Sequence, residues 1–193
     1  YDSAGLSVQQ GKSLLTLRAV GKVARLADKV RAEWSEDRQA GCTVGIAHTR
    51  WATHGAPTEA NAHPHADASG RIRLVHNGII ENYASIKKYL EEKGHTFTSE
   101  TDTEVLAHLI GELYRGDLEK AVQAALREVT GAYAIAVLCE KEPDVLVVAR
   151  KGSPLMIGVG NGEFVVASDA SAIVAHTTQA VMLADYSVAR ITR

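Results

Sequence analysis

The sequence predicts an α+β fold built from two stacked sheets with flanking helices. From Ala132 onward it is a series of short runs rich in Val, Ile, Leu and Ala, with turn residues between most of them. Several runs are apolar at both alternating positions, which suits strands covered on both faces by another sheet or by helices. A length of 193 residues with 46% hydrophobic content supports one well-buried core without requiring a second domain.

The elements follow in order. Leu6 to Gln9, a turn at Gln10-Gly11-Lys12, and Ser13 to Val20 read as a hairpin closed by a short glycine-containing loop. Val23, Leu26, Ala27, Val30 and Trp34 recur at helical spacing. Strand pattern returns over Thr43 to Thr49 and Arg71 to His76. Helices are predicted over Ile79 to Leu90, Thr103 to Tyr114 and Leu118 to Val129. In the last of these, Leu118, Ala121, Val122, Ala125, Leu126 and Val129 form one apolar stripe. Strands close the chain at Ala132–Glu140, Asp144–Arg150, Leu155–Gly160, Glu163–Ser168 and Val181–Thr192. With no repeat, low-complexity tract or Pro/Gly-rich linker, residues 1–193 read as a single domain.

Composition narrows the function classes. A formal net charge of −2 argues against nucleic acid, whose phosphates call for a basic face. Cys42 and Cys139 are too few for a disulfide framework and fit no C-x-x-C spacing, so a reducing cytoplasm is expected. The chain shows no signal-peptide pattern and no apolar run of bilayer length, so no membrane partner is expected.

Asn77-Gly78 directly follows the apolar run Ile72-Arg73-Leu74-Val75. Asn-Gly is a strong hairpin signal, but Ile79, Ile80, Tyr83, Ile86 and Leu90 recur at helical spacing, which predicts a strand-to-helix turn instead. There the Gly78 N–H and the Asn77 amide could converge on a developing negative oxygen. The guanidinium fork of Arg50 suits an α-carboxylate and Asp102 suits an α-ammonium group. Equally, Arg50 could be a strand-end surface charge, and Thr101 with Glu104 has capping-box spacing, which makes Asp102 part of a helix start.

His48, His54, His63, His65 and His76 fall within about thirty positions, yet no Cys, Asp or Glu stands beside them at a standard ligand spacing; hydrogen-bonded loop and strand-end histidines are the plainer reading. Neither cysteine has a neighbouring histidine or helix N-terminus to make a thiolate. Ser3 reads as an exposed hydroxyl without an adjacent base.

Tyr1-Asp2-Ser3-Ala4-Gly5, the blocks His48 to Gly55, Asn61 to His65 and His76 to Asn82, Ser99 to Glu104, and Gly131-Ala132-Tyr133 together resemble the glutaminase domains of class II glutamine amidotransferases. Trp51 and Ile79-Ile80-Glu81 are more similar to the glutamine:fructose-6-phosphate aminotransferase (glucosamine-6-phosphate synthase) family than to the amidophosphoribosyltransferases. The resemblance implies an N-terminal-nucleophile hydrolase fold, a four-layer αββα sandwich of two antiparallel sheets between helices. It implies L-glutamine as substrate, held by Arg50 and Asp102 with Trp51, Thr53 and His54 beside them, and an oxyanion hole from Asn77 and Gly78. No metal or organic cofactor is implied.

In that family an N-terminal cysteine attacks the side-chain amide, its own α-amino group serving as base, and ammonia passes to a sugar-phosphate isomerase domain that uses fructose 6-phosphate. This sequence opens on Tyr1 without that cysteine. It is therefore expected to be part of a longer, homo-oligomeric protein with an isomerase domain after Arg193, and to lack glutaminase activity on its own. Two other classes stand beside that reading: a catalytically dead amino-acid-binding or regulatory module, and a histidine-rich metal-binding domain.

Overall fold

A computed structural model describes residues 1–35, 41–51 and 55–192. In chain order its strands are β1 (Ser3–Gln10), β2 (Ser13–Val20), β3 (Gly45–Arg50), β4 (His65–Ala66), β5 (Ile72–Ile80), β6 (Gly131–Cys139), β7 (Val145–Lys151), β8 (Met156–Val159), β9 (Phe164–Ala167), β10 (Ala180–Met182) and β11 (Ser187–Thr192). The helices are α1 (Val23–Glu33), α2 (Tyr83–Glu92), α3 (Asp102–Leu113) and α4 (Leu118–Arg127), with a short 3₁₀ turn at Ala170–Ala172.

The inner layer is a five-stranded sheet, β11-β7-β6-β5-β4, whose neighbours all pair antiparallel. One face carries α2, α3 and α4 over a core that includes Ile72, Leu74, Ile80, Leu106, Ile110 and Ile135, each at most 1% exposed. Burying a side chain of that size stabilises the fold by about 1.5–3 kcal/mol, so this layer dominates the packing energy. The other face meets two separate three-stranded sheets, β2-β1-β3 and β10-β8-β9. Ile46, Val75 and Leu138 fill the first contact and Ala134, Val148, Leu155 and Leu183 the second. Helix α1 closes the outside, setting Leu26 and Trp34 against Ala4, Leu17 and Ala19. The layers run α, β, β, α, as the sequence predicts, except that the second sheet layer is in two pieces. Among the described residues no helix is long and apolar enough to cross a membrane.

Two predicted elements differ. The helix expected from Ile79 begins at Tyr83, because β5 continues through Asn77 and Gly78 to Ile80, in register with β6 from Ile72↔Cys139 to Ile80↔Gly131. Ladder pairing with β6 outweighs the apparent helical period at Ile79 and Ile80, and Asn77-Gly78 is neither a hairpin turn nor a helix start. Asn82 ends the strand: its side chain accepts from Thr130 N–H at 2.9 Å and donates to Glu128 O at 2.8 Å. The run Val181–Thr192 is two strands in different sheets, β10 against β8 and β11 against β7, divided by a turn with Tyr186 at φ 64°.

Helix α3 is buried from Thr103 to Ile110, polar residues included. Thr101 caps it, accepting the Glu104 N–H at 3.2 Å, a contact that contributes about 1 kcal/mol. Glu104 does not return to the Thr101 N–H as a capping box would. Its carboxylate instead takes the N–H groups of Thr98 and Ser99 and both their hydroxyls at 2.6–2.9 Å. Burial pushes this carboxyl up, and the Ser99 and Thr98 hydrogen bonds together outweigh it, leaving it below the usual carboxylate range.

Candidate active site

A cavity of about 730 Å³ opens where the C-terminal ends of β3 and β5 meet the N-terminus of α3. That volume suits a small-molecule site. Arg50, Trp51, Asn77, Gly78 and Asp102 all line it. Thr53 and His54, the other two residues singled out for this pocket, lie outside the described residues.

Arg50 ends β3 opposite Ser3 of β1, and its backbone O accepts the Asp2 N–H at 3.0 Å. Its side chain is buried, whereas Trp51 next to it is 74% exposed at the mouth. The predicted surface-charge reading of Arg50 does not hold. In β5, His76 turns inward while Asn77, Gly78 and Ile79 face the opening. Gly78 has φ 138°, and a Cβ there would stand 2.1 Å from Ala132 O on β6, so only glycine fits this approach of the two strands. Asp102 is the first residue of α3, where the helix dipole favours a carboxylate. It is not the cap, since Thr101 fills that role. Its Oδ2 accepts the Ile80 N–H at 2.8 Å, and the remainder of the group is partly open.

The wall also holds a set of imidazoles: half-buried His48 and buried His63 and His76 line the cavity, and buried His65 lies next to them. His48 Nε2 is 2.8 Å from Asn77 Oδ1. A carboxamide whose oxygen accepts from an imidazole N–H presents its NH₂ elsewhere, and Asn77 faces the cavity. His63 stacks on His48 with ring centroids 4.2 Å apart. Thr103 Oγ1 lies 3.0 Å from His63 Nε2 and 3.1 Å from His76 Nδ1, and His65 Nε2 lies 3.1 Å from Thr101 Oγ1. Burial is the main cause that pulls all four rings below the ordinary histidine value, His63 strongly and His65 to about 3. These rings are neutral at pH 7, and among the described lining residues the Arg and Asp/Glu side chains are Arg50 and Asp102.

The loop following the pocket is clamped from both sides. Asn61 donates to Ala56 O at 2.9 Å and Glu100 Oε2 at 3.0 Å and accepts the Glu100 N–H at 2.9 Å. The loop also crosses β1 so closely that a Cβ at Gly5 would fall 2.0 Å from His63 O, which explains a glycine inside that strand.

One further expectation changes. Ser3 is fully buried, so it is no exposed hydroxyl. His63 and His65 meet edge to face at 4.8 Å and turn to different threonines. Among the described residues no group of three His, Cys, Asp or Glu side chains could hold a metal ion. Cys139 is buried in the helix-covered core and Cys42 packs beside α1, so neither lines the cavity. Tyr83, Ser168 and Thr103 line it without having been singled out; Thr103 follows Asp102 on the helix, but no local pattern points to Ser168, just past the end of β9.

A four-layer αββα sandwich with a cavity at the open strand ends is the architecture of the N-terminal-nucleophile hydrolase fold. A family profile described as a glutamine amidotransferase domain matches residues 21–193. The chain belongs to this glutamine amidotransferase family. It is 53% identical to the glutamine–fructose-6-phosphate aminotransferase (isomerizing) of Chlorobaculum tepidum and 49% identical to that of Thermus thermophilus, across its whole length in both cases. It spans about a third of the length of these relatives, 32% and 31%. Among solved structures it matches the allosteric regulatory enzyme of purine biosynthesis with a TM-score of 0.80, over 99% of this chain and 41% of that one. It matches the glutamine phosphoribosylpyrophosphate amidotransferase of B. subtilis, complexed with ADP and GMP, with a TM-score of 0.74, over 99% and 43%. Both are 26% identical to this chain.

Proposed function

We propose that this domain binds L-glutamine and, in the full-length protein, hydrolyses its side-chain amide to glutamate and ammonia for conversion of fructose 6-phosphate to glucosamine 6-phosphate. The observation that carries the reading is the meeting of Arg50, Asn77-Gly78 and Asp102 in one cavity, in a chain of the glutamine amidotransferase family. The Arg50 fork takes the α-carboxylate through two parallel hydrogen bonds, and Asp102 takes the α-ammonium. Trp51 lines that end, and the family resemblance adds Thr53 and His54 to the glutamine-binding residues. The Asn77 NH₂ and the Gly78 N–H then receive the oxygen that becomes negative when the side-chain carbonyl is attacked.

Attack requires a thiolate, and among the described residues the cavity wall holds no cysteine. The nucleophile we assign is a cysteine preceding Tyr1, so residues 1–193 alone bind glutamine without turning it over. Residues 1–193 form one glutaminase domain, and the ammonia acceptor is a sugar-phosphate isomerase domain following Arg193. Cytoplasmic location and homo-oligomeric assembly complete the proposal.

The test measures ammonia release and glutamine binding. Residues 1–193 should bind L-glutamine by calorimetry and release no ammonia, whereas the full-length protein should do both. In the full-length protein Arg50→Lys should raise KM, since a point charge cannot reproduce the fork. Asn77→Ala should cut kcat by roughly a hundredfold with KM nearly unchanged. A full-length protein that binds glutamine and releases no ammonia would establish an amino-acid-binding module instead.

A further inference from the structure

The Thr103 hydroxyl sits where three elements meet. It lies 3.0 Å from His63 Nε2 of the loop before β4, 3.1 Å from His76 Nδ1 of β5 and 3.3 Å from Asp102 Oδ1 on its own helix. The residue is 1% exposed, and these contacts take up the polar atom of its side chain. The proton order follows from the outermost partner. His76 Nε2 lies 3.4 Å from Ala132 O, which can only accept, so the His76 proton is on Nε2 and Nδ1 is a bare acceptor. The single hydroxyl proton is shared between His76 Nδ1, the nearer acceptor, and Asp102 Oδ1, and His63 Nε2–H donates to Thr103 Oγ1.

Each imidazole tied in this way supports one half of the Asn77-Gly78 pair. His63 stacks on His48, and His48 holds the Asn77 carboxamide oxygen. His76 immediately precedes Asn77, and its Nε2 stands 3.0 Å from where a Gly78 Cβ would be, flanking that residue's backbone. We propose that Thr103 is a positioning residue for the oxyanion pair: one hydroxyl locks His63 and His76, and through them sets the aim of the Asn77 amide and the Gly78 backbone. The inference rests on the oxyanion role proposed above. It also explains why the helix that presents Asp102 carries a hydroxyl at its second position: the same turn that places the ammonium-binding carboxylate fixes the other end of the site.

Two measurements test it. In residues 1–193, ¹⁵N NMR of the histidine rings should find both His63 and His76 as Nε2–H tautomers at neutral pH; an Nδ1–H tautomer at either ring would overturn the proton order and the proposal with it. In the full-length protein, Thr103→Val keeps the shape and removes the hydroxyl. It should lower kcat about tenfold or more, with KM for glutamine within about twofold, and Thr103→Ser should restore most of the loss. An unchanged kcat, a loss carried by KM, or a Thr103→Ser variant as slow as Thr103→Val would each refute the role. Should Thr103→Val fail to fold, the tautomers and Thr103→Ser still decide it. Asn77→Ala run in parallel separates the two readings: if it leaves kcat intact, the oxyanion assignment itself is wrong, whereas a slow Asn77→Ala beside a fast Thr103→Val removes Thr103 alone.

Discussion

Asp102 Oδ2 accepts the backbone N–H of Ile80 at 2.8 Å, tying the first residue of α3 to the strand that carries Asn77 and Gly78. The carboxylate therefore has two separable properties: an acceptor that anchors β5, and a charge facing the cavity. Asp102→Asn keeps an acceptor oxygen and drops the charge, while Asp102→Ala loses both. Both variants should weaken glutamine binding and lose the favourable interaction of the charge with the helix dipole, and Asp102→Ala should be less stable than Asp102→Asn by about 1 kcal/mol, the usual net worth of such a hydrogen bond. Urea unfolding and calorimetric titration of the two variants check this. Equal stability losses in both would mean that the charge, and not the acceptor, holds the strand.

Much of the fold is legible locally. The β1–β2 hairpin declares itself through Gly11 between alternating runs, and the Leu118-to-Val129 stripe marks α4, whose buried side chains are Leu118, Ala121, Val122 and Ala125. Asn77-Gly78 is misread because the signal there is not local. The dipeptide suggests a turn and Ile79-Ile80 prolongs the helical spacing of Tyr83, Ile86 and Leu90, yet what decides the conformation is β6, more than fifty residues on, whose Gly131 faces Ile80. The same limit applies to the cavity. Arg50, Asn77 and Asp102 can each be named from residue type and motif, but their meeting depends on the pairing of β1 with β3 and on the packing of α3 over β5, neither of which has a local signature. Thr103 is harder still, since a threonine early in a helix is ordinary until its three partners are in place.

Gly78 gives a sharp stability contrast. At φ 138° an alanine is strained, and its Cβ would lie 2.1 Å from Ala132 O in a paired strand that has little room to yield. Gly94 also has positive φ, 89°, but nothing lies within 4 Å of its would-be Cβ. Gly94→Ala should therefore cost only the backbone strain, about 1–2 kcal/mol. Gly78→Ala should cost more than about 4 kcal/mol or prevent folding. Thermal unfolding of both variants reads the difference, and similar midpoints would show that β5 and β6 separate easily at this point.

Acidity should unfold this protein through its buried histidines. Burial lowers the values of His48, His63, His65, His76 and His108 in the folded chain, His65 from the ordinary 6.5 to about 3. The unfolded chain takes up those protons near 6.5 and the folded chain does not, so the unfolded state binds more protons below that value and stability falls as the pH drops. For His65 the window runs from about 6.5 down to about 3, and between pH 8 and pH 5 its contribution falls by about 2 kcal/mol. The buried Glu104, whose value is lowered from 4.5, has the same sign but acts only in more acidic solution, which leaves the upper part of the window to the imidazoles. Urea unfolding of residues 1–193 at pH 8 and pH 5 should show a loss larger than one histidine can produce. His65→Gln, which keeps a hydrogen-bonding side chain towards Thr101 and removes the titration, should reduce that pH-dependent loss by about 2 kcal/mol even if it lowers stability at both pH values. Stability unchanged between pH 8 and pH 5, or a His65→Gln variant with the same pH slope as the parent, would show that these rings take up protons in the folded chain and that the wall behind Asn77 is not the neutral layer described above.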